Sequence, residues 1–381
     1  MSQKIILLSI IETLGKGGAE RVLVNTLPEL LKLGIDCEVA ILFERDDLAV
    51  ELEEHGIKVH RLHLSNKWNV IEGIFKLNKL LKNNNYNIIH AHLFFAYFYT
   101  GIVKLFHPKI KTVTTFHNLG YNTYPANTLV KKVRKKLDAF VINKLIDNKV
   151  AVSNAVKDHF EEHLNIPNVD LIFNSFPLER INTSSNVKHD EVLKKYVDVG
   201  LYNLFSITPG RLVKEKGHHY LLEAMEIINK NGITLCHFIV GAGPLEEEIK
   251  REIEEKELSN VILISGLAQK DLFTLIRACD FVVIPSISEG FGMVVGEVMA
   301  LSKPVIVTGI NGIVDLLENE KEGLLVPSKD SKVLAQAIER LYHDEPLRKF
   351  LVKNANEKIK RFDTKIIAKQ WKDYYEKMLD E

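Results

Sequence analysis

This sequence of 381 residues has few cysteines and no formal net charge. Its three cysteines, Cys37, Cys236 and Cys279, lie far apart in apolar stretches. That spacing argues against a disulfide framework and a zinc site, and we expect reduced thiols in a cytoplasmic protein. The 50 Lys and Arg residues balance 50 Asp and Glu residues. A balanced chain has no overall attraction to nucleic acid, so we predict no nucleic-acid partner. A zero net charge does not exclude local charged patches.

Long apolar runs are also missing. The longest uncharged apolar stretch, Leu93 to Val103, has eleven residues, whereas a transmembrane helix needs about 20. The run from Ile5 to Ile11 ends at Glu12 without a cleavage site of small residues, so we expect a first strand and no signal peptide. The sequence predicts no membrane span. Peripheral attachment to the inner face of the plasma membrane stays open.

Short apolar runs alternate with longer amphipathic segments along the whole chain. Runs typical of strands occur at 5–11, 38–43, 57–64, 87–90, 112–116, 149–152, 170–173, 203–208, 234–240, 261–265, 281–284, 304–308 and 323–326. Strands that alternate with helices form parallel sheets joined by crossover helices. The predicted fold class is therefore α/β, with two Rossmann-like, doubly wound parallel-sheet domains facing across a cleft.

The alternation weakens between residues 174 and 200, where polar clusters dominate, and then resumes. We therefore predict an N-terminal domain over 1–180, a linker over 181–200 and a C-terminal domain over 201–363. Residues 364–381 are predicted to form a last helix. One stripe of that helix is apolar and comprises Ile367, Trp371, Tyr374, Tyr375 and Met378.

A glycine-rich turn follows the first predicted strand and contains Gly17 and Gly18. Such a turn lets backbone N–H groups approach a phosphate at the positive end of a helix. A dinucleotide-binding fingerprint does not fit, because Glu20 occupies the place of its third glycine. A simple tight turn that starts a helix remains the alternative.

Two cations, Arg211 and Lys216, lie in the loop after the strand at 203–208. A guanidinium and a mobile ammonium suit a diphosphate, although a solvated charged loop is the alternative. After the strand at 281–284 come Glu289, a glycine turn and Glu297. Two carboxylates around such a turn suit sugar hydroxyls; helix capping by Glu289 and a solvent-facing Glu297 are the alternative.

Together these motifs resemble the retaining glycosyltransferases of the two-Rossmann-domain (GT-B) type, specifically family four (glycosyl transferases group 1). The resemblance covers essentially the whole chain and keeps the motif order. It implies that 1–180 is the acceptor-side domain, that 201–363 binds the nucleotide sugar, and that the last helix, 364–381, returns to the first domain. The matching segments are Gly17-Gly18-Ala19-Glu20-Arg21, Ile88-Ile89-His90-Ala91-His92, Thr114-Thr115-Phe116-His117, Gly210-Arg211-Leu212 with Lys216-Gly217, Gly241-Ala242-Gly243-Pro244, and Glu289 with Glu297 seven residues beyond it.

The resemblance implies roles for individual residues. Arg211 and Lys216 would neutralise the donor diphosphate, the backbone of Leu267 would meet the nucleobase, and Glu297 would hold the ribose. Glu289 would hold sugar hydroxyls and, with His117, form the catalytic pair; Gly17 and Gly18 would contact the donor phosphates or the acceptor. The full implied donor-binding set is Arg211, Lys216, Gly241, Leu267, Gly290, Phe291, Gly292, Met293, Val294 and Glu297.

Two segments depart from the family pattern. Phe173-Asn174-Ser175 replaces the usual Pro-Asn-Gly, so Asn174 receives no role. Asn311-Gly312 with Asp315 replaces the usual Gly-Gly-x-x-Glu, which puts a contact from that loop in doubt. The resemblance also implies a retained anomeric configuration. Since cationic side chains and a helix dipole can stabilise the leaving diphosphate, we expect no metal and no cofactor.

A basic segment on the acceptor side comprises Lys131, Lys132, Arg134, Lys135 and Lys136. A basic amphipathic helix would sit on an anionic membrane surface, and a solvated helix face is the alternative. The leading hypothesis is a metal-independent hexosyltransferase. It would move a hexose or N-acetylhexosamine from a nucleotide sugar, with UDP favoured, to a glycan or lipid-linked acceptor in surface polysaccharide or glycoconjugate synthesis. A nucleotide-sugar epimerase on the same fold and a catalytically silent transferase-like subunit are the alternatives.

Overall fold

The computed structural model describes residues 3–123, 128–182 and 188–381. The strands are β1 Ile6–Ile11, β2 Asp36–Ile41, β3 Lys58–Arg61, β4 Ile88–His92, β5 Lys111–Phe116, β6 Asn148–Ala151, β7 Asp170–Leu171, β8 Leu204–Pro209, β9 Leu235–Gly241, β10 Val261–Ser265, β11 Phe281–Ile284, β12 Val305–Thr308 and β13 Leu324–Val326. The α-helices are α1 Gly18–Lys32, α2 Ala49–Glu54, α3 Val70–Lys82, α4 Phe94–Lys104, α5 Gly120–Thr123, α6 Leu129–Lys144, α7 Asn154–Leu164, α8 Leu178–Asn182, α9 His189–Leu193, α10 His218–Lys230, α11 Glu246–Glu255, α12 Gln269–Ala278, α13 Met293–Ala300, α14 Ser331–His343, α15 Glu345–Ile359 and α16 Thr364–Asp380.

The chain divides into two compact units, Met1–Phe176 with Phe362–Glu381, and Pro177–Arg361. The first unit holds a parallel sheet in the order β3-β2-β1-β4-β5-β6-β7. Because crossovers between parallel strands are right-handed, α1 and α2 cover one face of this sheet and α3, α4, α6 and α7 cover the other. The contacts of α1 with α2, and of α4 with both α3 and α6, agree with that arrangement.

The second unit repeats the plan with a parallel sheet in the order β10-β9-β8-β11-β12-β13. Its central strands are short apolar runs that are buried on both faces, as parallel strands require. The predicted fold class of two doubly wound parallel-sheet domains is confirmed.

The C-terminal helix α16 packs on α1 of the first unit, as the family resemblance implies. Ile367, Trp371, Tyr375 and Met378 are at most 6% exposed and join the core beneath α1. The hydroxyl of Tyr374 donates to Asp170 at 2.8 Å. The apolar stripe read from the sequence therefore marks a docked helix.

The segment predicted as a linker, 181–200, differs from the expectation. Its described residues include α9, which packs on α12, and the preceding α8 packs on α13, so both helices belong to the second unit. The reason is apolar burial: Ile181, Val192 and Leu193 are each at most 5% exposed although polar residues surround them in sequence. Residues 183–187 of the predicted linker lie outside the described part of the chain.

Candidate functional site

In the second unit, the candidate residues lie in loops at the carboxyl edge of the sheet. Strand β8 is the point where the strand order reverses, because β9 lies on one side of it and β11 on the other. Ligands of open α/β sheets bind at such a reversal point, outside the carboxyl ends of the strands. Arg211 and Lys216 follow β8, and Glu289 follows β11, so the two neighbouring loops at this point carry both cations and one carboxylate.

The two loops meet through an ion pair. Lys216 Nζ donates to Glu289 Oε1 at 2.5 Å, and the two side chains are only 16% and 14% exposed. Ser286 Oγ donates to the same carboxylate oxygen at 2.8 Å. The N–H of Ile287 donates to the carbonyl of Glu215 at 2.7 Å. These contacts fix the position of the Lys216 ammonium and the Glu289 carboxylate relative to the sheet.

Arg211 differs from Lys216 in having no fixed partner. Its side chain is exposed, and its guanidinium makes no ion pair with the residues that the structure describes. Its backbone is held instead, because His218 Nε2 donates to the Arg211 carbonyl at 3.2 Å. Burial lowers the pKa of His218, which keeps the imidazole neutral and suited to that hydrogen bond. Sequence reasoning assigned His218 no role; its place next to the cationic loop was the only available signal.

The glycine turn after Glu289 leads directly into α13. Gly292 has φ +78°, a left-handed conformation that favours glycine, and it precedes the first residue of the helix, Met293. The Phe291 side chain is 3% exposed, so only its backbone can face a ligand. Met293 and Val294 are partly exposed at the first turn. The helix therefore presents its N-terminal backbone beside Glu289, where anions are stabilised.

The second carboxylate, Glu297, lies one turn inside α13 and is partly exposed. Gln269 Nε2 donates to Glu297 Oε1 at 3.5 Å. Gln269 begins the helix after β10, just beyond Leu267, which is half-buried. The structure thus places Glu297 towards the β10 loop and Glu289 towards the β8 loop. Gln269 was missed from the sequence because it matches no quoted motif.

The loop at 309–312, whose contact the sequence left in doubt, touches the Glu289 turn. A side chain at Gly312 would collide with the carbonyl oxygen of Glu289. The hydroxyl of Thr308 also donates to the carbonyl of Ser286. This loop therefore supports the backbone of the carboxylate turn from the β12 side, with glycine required for the close approach. Gly241, at the other side of β8, ends strand β9.

In the first unit, the glycine turn at Gly17 opens helix α1 without a side-chain cap. Glu20 lies against Gly17, and burial raises the pKa of the Glu20 carboxyl. Arg21 is held in a two-pronged ion pair, with Nη1 at 2.8 Å from both carboxylate oxygens of Glu51. Gly17 and Gly18 are therefore placed at a helix N-terminus as predicted for an anion site, while Arg21 is engaged in a structural ion pair.

His117 follows β5, and its ring contacts a second histidine from β4. His92 Nδ1 lies 3.1 Å from His117 Nε2. Behind them, His90 bridges the Tyr375 hydroxyl at 2.7 Å and the Thr115 hydroxyl at 2.6 Å. Burial lowers the pKa of His117 to about 4 and that of His90 to about 3, so both rings are neutral at pH 7. Sequence reasoning quoted the His-Ala-His motif without giving His92 a role.

The rings of His90, His92 and His117 line a small cavity of about 30 Å³ together with Tyr375. His92 Nε2 and His117 Nδ1 are buried and make no hydrogen bond to any described residue. A cavity of this size has room for a water molecule. The histidines thus form a buried, neutral, polar group directly below the carboxyl edge of the first sheet.

Comparisons with known proteins give a consistent assignment. The model for "Glycosyltransferase Family 4" matches residues 16–180, and the model for "Glycosyl transferases group 1" matches residues 202–358. The chain belongs to the GT-B glycosyltransferases. Each family model covers the candidate residues of one unit. The match to Glycosyltransferase Family 4 contains Gly17, Gly18 and His117, and the match to Glycosyl transferases group 1 contains Arg211 through Glu297.

Two curated relatives match this glycosyltransferase over nearly their whole length. The O-antigen chain mannosyltransferase C of Escherichia coli is 26% identical over 94% of this chain and 93% of its own. An N-acetylgalactosaminyltransferase of Campylobacter jejuni, which acts on N-acetylgalactosamine-N,N'-diacetylbacillosaminyl-diphospho-undecaprenol, is 26% identical over 94% and 96%. These relatives give no support to the epimerase or silent-subunit alternatives.

Among solved structures, Anabaena HepE in complex with UDP-glucose superposes with a TM-score of 0.83 at 21% identity, covering 97% of this chain and 99% of HepE. That similarity establishes the GT-B fold. Within the residues described here, no group of three or more His, Cys, Asp or Glu side chains is arranged to hold a metal ion. No described helix is both long and apolar enough to cross a membrane.

Proposed function

We propose that this GT-B glycosyltransferase moves a hexose or N-acetylhexosamine from a nucleotide sugar to a glycan or lipid-linked acceptor, with retention of the anomeric configuration. The observation that carries the proposal is the Lys216–Glu289 pair in the loops that follow β8 and β11, at the reversal point of the second sheet. The same β8 loop carries Arg211, whose guanidinium makes no ion pair with the described residues. Charged groups of both signs at one strand edge fit a ligand that carries both a diphosphate and sugar hydroxyls.

The donor chemistry follows from these charges. When the bond between the sugar C1 and the diphosphate oxygen breaks, negative charge develops on the diphosphate. Arg211 and Lys216, with the N-terminus of α13 after Gly292, would stabilise that charge without a metal ion. Glu289 holds the Lys216 ammonium at 2.5 Å in the free protein. A bound diphosphate would share this cation, while Glu289 accepts hydrogen bonds from the sugar.

The remaining assigned residues complete the donor site. Glu297 would hold the ribose hydroxyls, with Gln269 orienting its carboxylate. The backbone of Leu267 would meet the nucleobase, and the backbone N–H groups of the turn at 290–294 would contact the sugar and phosphates. A UDP-sugar is favoured as donor, and the complexes of Anabaena HepE with UDP and with UDP-glucose support that choice.

Retention is proposed to proceed by attack on the same face from which the diphosphate departs. Either His117 or the leaving phosphate would take the proton of the acceptor hydroxyl. Burial lowers the pKa of His117 to about 4, which leaves the ring unprotonated at pH 7 and free to accept a proton, but also makes it a weaker base. The Gly17–Gly18 turn would contact the donor phosphates or the acceptor.

A lipid-linked acceptor is supported by the relatives. The Campylobacter jejuni enzyme and an Escherichia coli galactosyltransferase are both named for diphospho-undecaprenol acceptors. We propose that this chain acts in surface polysaccharide or glycoconjugate synthesis, in the cytoplasm at the inner face of the plasma membrane. The donor sugar enters as a substrate, and no separate cofactor is proposed.

The test is incubation with a panel of nucleotide sugars and lipid-linked or free glycan acceptors. We expect nucleoside diphosphate release coupled to formation of a glycosylated product whose anomeric configuration, measured by NMR, matches the donor. Lys216→Ala should cost roughly 2–4 kcal/mol of transition-state stabilisation in this assay. The matched control is Lys256→Ala, because Lys256 is also a partly buried lysine paired with carboxylates in the second unit. Release without product, product with inverted configuration, or equal loss in both variants would contradict the proposal.

A further inference from the structure

The outer surface of the α3–α4–α6 helix layer in the first unit is unusually apolar. Fourteen large apolar side chains are exposed in the described part of the chain, and half of them lie on this layer or just before it. We call these seven the apolar helix face: Trp68, Ile71, Phe75, Leu129, Val133, Leu137 and Phe140. Single exposed apolar residues are ordinary, whereas such a concentration marks an interaction surface.

The spacing shows that these side chains point outward as stripes. On α6, Leu129, Val133, Leu137 and Phe140 follow one another at intervals of four, four and three residues, which places them on one side of the helix. Their exposed fractions run from 47% to 78%. The opposite side of α6 is buried, with Asp138 2% and Val141 3% exposed. Helix α6 is thus apolar towards the core and again towards solvent.

Helix α4 connects the stripes on α3 and α6. The Phe94 ring of α4 lies 6.0 Å from the Trp68 ring before α3, measured between centroids, and 6.1 Å from the Phe98 ring. The Arg134 guanidinium of α6 lies 3.8 Å above the same Phe94 ring. Phe94 therefore contacts residues from both neighbouring elements, which makes the apolar helix face one continuous surface.

Exposed cations border this surface, and the acids on α3 and α6 each contact a described partner. On α3 the stripe of Ile71 and Phe75 continues into the exposed Lys79 and Lys82. On α6 the exposed Lys131, Lys132 and Lys136 form no ion pair with described residues. The one acid of α3, Glu72, pairs with Lys76 at 2.7 Å. The one acid of α6, Asp138, accepts the Tyr121 hydroxyl.

We propose that the apolar helix face docks on an anionic phospholipid bilayer, with Trp68, Ile71, Phe75 and the α6 stripe inserted between headgroups. The lysines would bind lipid phosphates while their alkyl stems lie along the apolar surface. A second copy of this chain fits poorly, because a two-fold contact would oppose the same unpaired lysines. The charge pattern is complementary to an anionic surface.

The orientation of the helices gives this docking a consequence. A crossover helix runs antiparallel to its strands, so α3, α4 and α6 begin at the carboxyl edge of the first sheet. The Gly17 turn and His117 lie at that same edge. The bilayer would therefore lie close to the edge that carries these residues. The docking proposal rests on surface geometry and does not depend on the transfer reaction proposed above.

The sequence supplies its own spectroscopic probe. It contains two tryptophans, and Trp68 is 54% exposed whereas Trp371 is 6% exposed. The full chain is mixed with vesicles of phosphatidylcholine alone or of equal parts phosphatidylcholine and phosphatidylglycerol. We expect co-sedimentation and a blue shift of tryptophan emission only with the anionic vesicles, and no shift in Trp68→Phe.

The decisive variant carries both Phe75→Ser and Phe140→Ser. Because two of the three aromatic anchors are removed, vesicle affinity should fall at least about tenfold. The matched control carries both Val314→Ser and Phe350→Ser. Val314 and Phe350 lie in the second unit and are each 51% exposed. The control should bind vesicles like the parent chain, and both variants should keep its melting temperature because all four positions are solvent-exposed.

Three outcomes would overturn the proposal. They are absence of binding to anionic vesicles, equal affinity of the Phe75/Phe140 variant and the parent chain, and a lipid-free dimer that dissociates in that variant only. Nucleoside diphosphate release with a water-soluble acceptor is measured on the same preparations. Since that assay contains no membrane, loss of lipid binding and loss of transfer activity are scored separately.

Discussion

His92 Nδ1 lies 3.1 Å from His117 Nε2, and the outer nitrogen of each ring is buried without a hydrogen bond to any described residue. One shared proton joins the two rings, so the ring that donates it decides which nitrogen of the other can accept. Because burial lowers the pKa of both histidines, the pair is neutral at pH 7. The tautomers of the two rings are therefore coupled, and we predict that His92 orients His117 and selects its tautomer.

The first prediction concerns this pair. His117→Ala should lower turnover about 10²-fold or more, as expected for a positioned proton-transfer or orienting group. His92→Ala should also lower turnover. Both variants should bind nucleoside diphosphate normally, because the loop that carries Arg211 and Lys216, the cation loop, lies in the second unit. Each substitution leaves a buried nitrogen without its partner, so folding stability should fall by roughly 1–3 kcal/mol.

Turnover per folded molecule separates function from stability here. Melting temperature, nucleoside diphosphate affinity and turnover are measured on one preparation of each variant. Full turnover at a temperature where His117→Ala is entirely folded would end the catalytic assignment. A nitrogen-15 NMR spectrum of the imidazoles in His92→Ala should show a changed tautomer for His117; an unchanged tautomer would remove the orienting role of His92.

The second prediction concerns the cation loop. Arg211→Ala and Lys216→Ala should each cost roughly 2–4 kcal/mol of transition-state stabilisation, measured as kcat/KM. Lys216→Ala should also lower stability, since it leaves the Glu289 carboxylate with Ser286 as its remaining described hydrogen-bond donor at Oε1. Adding Glu289→Gln should restore stability without restoring activity. Near-normal kcat/KM in both single variants would remove this loop from the site.

The third prediction concerns metal ions. Transfer should survive EDTA, because two cationic side chains and the N-terminus of α13 are expected to stabilise the leaving diphosphate. The assay compares initial rates with EDTA, with added Mg²⁺ and with added Mn²⁺. Complete loss in EDTA that either ion reverses would show that a metal ion supplies the main charge stabilisation.

The fourth prediction concerns the docked C-terminal helix. Trp371→Ala should cost roughly 3–5 kcal/mol of unfolding free energy, because the side chain is 6% exposed in the core beneath α1. Deleting residues 364–381 should expose that apolar surface and cause aggregation. The control is Lys369→Ala on the exposed side of the same helix. A truncated protein with unchanged melting temperature would show that α16 is dispensable for the first unit.

The fifth prediction concerns pH and Asp138. Burial raises the pKa of Asp138 to about 6, and the Tyr121 hydroxyl donates to its carboxylate. The folded state therefore binds this proton more tightly than the unfolded state, so the Asp138 contribution to stability falls as pH rises from about 4 to about 6. Above that range the buried charge costs about 1–3 kcal/mol.

Asp138→Asn keeps an acceptor for Tyr121 and removes the charge. The variant should be more stable than the parent chain at about pH 8, with a difference that shrinks to near zero at about pH 4. Urea unfolding across this range checks the prediction, with Asp373→Asn at an exposed position of α16 as the control. A stability difference that does not change with pH would refute the raised pKa.

The sequence alone determined the fold class and most strand positions. The runs at 261–265 and 281–284 coincide with β10 and β11, and the others differ by one to three residues at an end. The spacing of apolar residues and the positions of glycines between elements are local features, so they can be read from the sequence. The uncharged stretch at 93–103, for which the sequence excluded only a membrane span, forms most of the buried helix α4; a short apolar run fits a buried helix as well as a strand.

Only the tertiary structure decided which side chains meet. Lys216 and Glu289 are 73 residues apart, and His90 and Tyr375 are 285 apart, yet each pair forms a hydrogen bond. Such pairings depend on strand order, which brings the β8 and β11 loops together. The exposure of the apolar stripe on α6 could not be read from the sequence either. A repeat of apolar residues shows that one side of a helix is apolar, whereas only the burial of those side chains shows whether another element covers them.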